Sequence, residues 1–129
     1  MPDAQRLGFN SVQGDDIVRS WTRTTGGRTF DAGTLLVQMR NTETNALVAT
    51  SEDSPPDGVL AIDTSVCDFT DPDAYVFGFK IEGTDGIAAS HDYVIEAQCE
   101  TDHDDGQGAR IETFFSEAWE IRQQWAVPS

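Results

Sequence analysis

The chain has 129 residues, long enough for one domain around a single core. Fifteen aspartates and eight glutamates stand against seven arginines and a single lysine, Lys80, for a formal net charge of -15. A surface this acidic repels phosphate backbones, which excludes unaided nucleic-acid binding. No run of apolar residues is long enough to span a bilayer, and Met1 to Leu7 holds no stretch of signal-peptide character. The expectation is therefore a chain that is neither membrane-spanning nor secreted by a cleaved leader. Many Asp and almost no Lys also match proteins that work in concentrated salt, where the Debye length shrinks to about 3 Å at 1 M. An ordinary acidic bacterial or phage protein is the alternative.

In chain order, residues 1–12 read as an N-terminal arm, 13–126 as a β-sandwich domain and 127–129 as a tail. Ile17 to Thr24 is a candidate strand, and Thr25-Gly26-Gly27-Arg28 a turn with residues free to take φ > 0. Leu35, Val37 and Met39 alternate with Leu36, Gln38 and Arg40, the two-residue period of a half-buried strand. Ala46 to Ser51 and Val59 to Asp63 are shorter candidates, separated by Ser54-Pro55-Pro56-Asp57-Gly58, read as a rigid reversal. Asp68, Asp71 and Asp73 surround Pro72 and read as turn initiation before the clearest strand, where Tyr75, Phe77, Phe79 and Ile81 form one face. Thr84-Asp85-Gly86 reads as a hairpin turn. Tyr93, Ile95, Ala97 and Cys99 repeat the alternation, Asp102 to Gly108 is the longest polar connection, and Ile111 to Phe115 and Trp119 to Trp125 complete the set. A helix over Thr113 to Gln124 also fits a period near 3.6, but it would leave the preceding strand without a partner. About eight short strands with turn signals between them predict an all-β fold, an antiparallel immunoglobulin-like β-sandwich.

Little in the chain carries chemistry. A calcium loop beginning at Asp102 would need Asp or Asn at its fifth position and Glu at its twelfth, where Gly106 and Thr113 stand. A hairpin tip explains those aspartates without a cation. His91 and His103 lack a nucleophile setting, since Ser90 and His91 on one strand point to opposite faces. There is no phosphate-binding loop and no dinucleotide fingerprint. Cys67 and Cys99 lack zinc spacing and are expected as buried thiols, with a single bridge between them as the alternative. The expectation is no enzyme, no cofactor and no metal.

Trp21 and Trp119 are expected in the core. Trp125 either ends a paired strand or anchors in a neighbouring subunit. Arg19, Arg23, Arg28 and Arg40 crowd the first third, and on one face they would suit an acidic partner; neutralisation of local carboxylates is the alternative. Val12-Gln13-Gly14-Asp15-Asp16-Ile17-Val18-Arg19-Ser20-Trp21-Thr22-Arg23-Thr24, the later Phe30 to Arg40, Tyr75-Val76-Phe77-Gly78-Phe79 and Asp92 to Gln98 resemble a theme of small tailed-virus structural proteins. The likeness, from about Gln13 to Gln124, is to the immunoglobulin-like N-terminal domain of phage baseplate upper proteins. It implies a virion structural protein, a tail or baseplate component or a capsid decoration, located in the virion and working by assembly with other virion proteins and copies of itself. Phe9, Phe69, Phe114, Trp125, Arg19 and Arg23 are the candidate interface residues, with one of Phe114 and Phe115 expected to face outward. The alternative is a small ligand-binding module for carbohydrate or calcium.

Overall fold

The alternation that is strongest in the sequence builds the centre of the molecule. In the computed structural model, which describes residues 10–24, 29–71, 73–84, 87–102 and 108–122 and gives Asn10, Ser90 and His91 by backbone alone, Tyr75, Phe77, Phe79 and Ile81 are all buried. They lie on one face of a strand because successive side chains point to opposite sides of a sheet. The elements are β1 (Asn10–Val12), β2 (Ile17–Thr24), β3 (Thr29–Asn41), β4 (Leu47–Thr50), β5 (Leu60–Asp63), β6 (Ala74–Ile81), β7 (Ser90–Asp102) and β8 (Ala109–Arg122). No helix is found among the described residues.

All eight strands join one sheet in the order β1-β8-β7-β3-β4-β5-β6-β2, which curls until it is nearly a barrel. Its curvature lays β6 and β2 over β8, so that Phe79 meets Trp119 at 6.0 Å and Phe77 meets Phe115 at 5.3 Å between ring centroids. The sheet is mixed rather than antiparallel, because β1 runs parallel to β8 and β4 parallel to β5. The Pro-Pro segment therefore does not make a reversal between neighbouring antiparallel strands. It belongs to a crossover over residues 51–59 that returns the chain in the same direction, using positive φ at Ser54 and Gly58. Thr84 likewise starts no hairpin: three strands, β3, β4 and β5, lie between β6 and β7 in the sheet, so the segment between them carries the chain across the molecule. β1 lies within the stretch read as an arm, yet it is part of the sheet.

β7 and β8 form the long hairpin, and β8 runs unbroken as a strand through the stretch that also fitted a helical period. Its register slips between Ala97↔Phe115 and Gln98↔Thr113, which leaves Phe114 as an extra residue in a bulge. Hence both phenylalanines turn inward. Phe115 is buried, and Phe114 packs against Phe30, Phe69, Tyr75 and Phe77. The expectation that one of the pair faces outward fails because strict alternation breaks at a bulge.

β3 departs from its ladder with β7 between Asp31 and Leu36. Thr34 fills the gap, its hydroxyl donating to the Asp31 carbonyl at 2.8 Å and accepting from the Glu100 N–H at 2.8 Å. Thr84 does a similar service at the other end of the molecule. Fully buried, its hydroxyl donates to the Asp15 carbonyl at 2.6 Å and accepts from the Gly14 N–H at 3.0 Å. This fixes the Gly14 turn, at φ 94°, against the segment that follows β6. Thr84→Val keeps the shape and strands two backbone groups, so a loss of about 1–3 kcal/mol is expected in urea unfolding; a neutral result would show that water replaces the hydroxyl.

Candidate interaction surface

β2 and β6 pair over eight residues each, from Ile17↔Ile81 to Thr24↔Ala74. Together they hold Arg19, Arg23 and Lys80 and no carboxylate, on a chain of net charge -15. The cations do not share one face. Ile17, Arg19, Trp21 and Arg23 occupy the inward side of β2, while Val18, Ser20, Thr22 and Thr24 point outward with Lys80 of β6. Arg19 is placed over Trp119, 5.3 Å from the ring centroid, and donates to the Val18 carbonyl at 2.9 Å. Arg23 is exposed, and Lys80 lies 3.7 Å from the Glu82 carboxylate. Arg40 is on β3, donating to the Asn45 carbonyl at 3.1 Å, so the cluster read from the first third of the sequence is dispersed.

The outward side of this ribbon carries exposed apolar side chains. Val18 is 55% and Val66 49% exposed, and they flank a groove of about 150 Å³ that Ser20, Asp63 and Lys80 also border. Gly78 explains why the loop after β5 can lie there. A Cβ at that position would fall 2.7 Å from the Val66 side chain and 2.6 Å from the Arg19 carbonyl, so only glycine lets the loop close on β6. Cys67 seals the contact, its thiol donating to the Gly78 carbonyl at 3.1 Å.

The opposite outer face, on β3, β7 and β8, is polar. It carries a shallow depression of about 130 Å³ floored by Leu36 and Val94 and walled by Gln38, Arg40, Glu96 and Gln98. Glu96 accepts from the Ser116 hydroxyl at 2.7 Å. Among the described residues no group of three acidic, His or Cys side chains is placed to hold a metal ion. The loop from Asp102 to Asp105, read from sequence as a hairpin tip in preference to a calcium loop, lies outside the described residues after its first member. His103 lies outside them too, as does the side chain of His91.

Of the six candidate interface residues, Phe69 and Phe114 are half-buried and their rings meet each other and Phe30 and Tyr75 at 5.5 to 6.3 Å. Interior packing thus accounts for both. Phe9 and Trp125 lie outside the described residues. Val18 and Val66 were missed by sequence reasoning, though the parity of β2, with Ile17 and Trp21 on one side, could have put Val18 on the other. The aspartates before β6 act as turn formers: Asp68 accepts from the Thr70 hydroxyl at 2.6 Å and its N–H at 3.0 Å, and Asp71 accepts from the Asp73 N–H at 2.9 Å. Those bonds from Thr70 hold the Asp68 carboxyl below its usual range.

Cys67 and Cys99 are free thiols, Cys99 donating to the Asp31 carbonyl at 3.1 Å. Burial pushes both above the ordinary thiol value of about 8.5. In the unfolded chain the thiols ionise near that value, whereas in the folded chain they stay protonated to higher pH. The stabilisation they give is complete below the ordinary value and drains away as pH rises through the folded one. Alkylation at pH 8 is expected to be several-fold slower than for the urea-unfolded chain; equal rates would contradict the burial.

Comparison of the chain with protein-family models, with curated proteins and with solved structures finds no match to any of them.

Proposed function

We propose that this protein is a structural subunit of a tailed virus, in the tail or baseplate or decorating the capsid, and that it does no chemistry of its own. Its partners are other virion proteins and copies of itself. One observation carries the assembly reading: half-exposed Val18 and Val66 flank a groove beside the paired strands β2 and β6, which hold no carboxylate, with Asp63 of β5 on its border. On a surface that otherwise repels its neighbours, such a patch is where contact costs least in desolvation and repulsion. The viral assignment rests on the resemblance of the Gly14-Asp15 turn and the strands after it to baseplate upper proteins. The finer description of the fold as an immunoglobulin-like sandwich belongs to the same reading, supported by the way β6 and β2 lie over β8.

Val18→Asp with Val66→Asp tests it. Both side chains are exposed, so circular dichroism is expected to stay unchanged while association with itself or with isolated tail and capsid proteins is lost. A double variant that assembles as the wild type does would remove this face from the account.

A second reading has its own observation, the depression walled by Gln38, Arg40, Glu96 and Gln98, which offers both donors and acceptors to a sugar. Trp21 and Trp119, however, pack inside rather than presenting a stacking platform. A melting temperature that rises with a glycan would favour this reading over assembly.

A further inference from the structure

We infer that the junction between the start of β3 and the end of β7 is a latch held shut by salt. Asp31 and Glu100 stand directly opposite each other in the ladder, so their side chains share one face. Like charges in that position repel, and neither carboxylate has an ion pair among the described residues. Burial, and after it the charges of both carboxylates, keep the Cys99 thiol protonated. Asp102 is two residues further along the same face of β7, opposite Thr29, and these residues border an open cavity of about 240 Å³.

Backbone pairing is interrupted at the same junction. The register break between Asp31 and Leu36 leaves the Asp31 carbonyl to the Thr34 hydroxyl and the Cys99 thiol, and the Glu100 N–H to the Thr34 hydroxyl. Side-chain substitutes and a repelling pair thus meet at one point. Beneath them Phe30 is buried, in contact with the rings of Phe69, Tyr75 and Phe114. Opening the latch uncovers Phe30 and one side of that ring cluster. At about 1 M salt the Debye length of roughly 3 Å screens the pair, whereas at about 0.01 M it is near 30 Å and the repulsion acts in full.

Hydrogen exchange of the whole protein, resolved by residue, tests the inference at those two salt concentrations. Protection at 29–31 and 100–102 is expected to fall about fivefold or more on going to low salt, with β6 unchanged, and Glu100→Gln should abolish that fall. Binding of an apolar dye should rise at low salt in the wild type and less in the variant. A loss of protection spread evenly over all strands would assign the effect to net charge and overturn the latch; so would protection at 29–31 that ignores salt. Should Glu100→Gln not fold, Asp31→Asn removes the same repulsion from the other side.

Discussion

Trp119→Ala is expected to cost about 3–5 kcal/mol, a large share of the roughly 5–15 kcal/mol that holds a domain of this size. The side chain is 1% exposed and joins three parts of the fold. Its ring packs on Phe79 of β6 at 6.0 Å, carries the Arg19 guanidinium of β2 at 5.3 Å, and its Nε1 donates to the Ser11 hydroxyl of β1 at 3.0 Å. Truncation opens a cavity between β8 and β6, unseats Arg19 and removes a tie to the shortest strand of the sheet. Trp119→Phe keeps much of the apolar contact while losing the Ser11 bond and should fall between the two. The urea midpoint measures both, with an unchanged slope confirming that the unfolded state is the same. A loss below about 1 kcal/mol for the alanine variant would mean that the strands hold one another without the indole.

Gly78→Ala is the second large effect, expected at about 1–3 kcal/mol destabilising even though alanine narrows the unfolded ensemble by about 0.4–1 kcal/mol. The new methyl meets the Arg19 carbonyl at 2.6 Å, the Val66 side chain at 2.7 Å and Ser20 Cβ at 2.9 Å. The valine can yield, but the backbone of β2 cannot move without disturbing its ladder to β6. Gly78→Ala combined with Val66→Ala should therefore recover only part of the loss, and the coupling between the two sites measures how much of it the loop carried. Full recovery would show that β2 accommodates the methyl after all.

The strands were legible where alternation is strict. β2 has the predicted bounds, and the inward sets of β6 and β7 are the residues the two-residue period selects, because burial on one face leaves that signature wherever the ladder is regular. The reading failed at Phe114 and Phe115, where one extra residue in β8 turns both rings inward, and at the β3 break, where Thr34 does work that no local pattern announces. It also failed on topology. Whether Ser54 to Gly58 reverses the chain or carries it to a parallel neighbour depends on which strands meet, and β4 meets β5 for reasons of the whole sheet. The candidate surface was legible only in outline: the arginines of β2 were visible, but that they share the inward side while Lys80 lies on the outward one follows from register, and the apolar role of Val66 follows from a loop closing on Gly78.

The proposal that this chain acts by assembly is tested most directly by the molar mass of the wild-type protein, measured by light scattering in dilute buffer and again at about 1 M salt, where repulsion between acidic copies is screened within about 3 Å. The expected result is a folded chain by circular dichroism at high salt, with a molar mass that is a defined multiple of 14.1 kDa. A folded protein that stays at the mass of one chain under both conditions, and that also fails to bind isolated tail or capsid proteins, would contradict it.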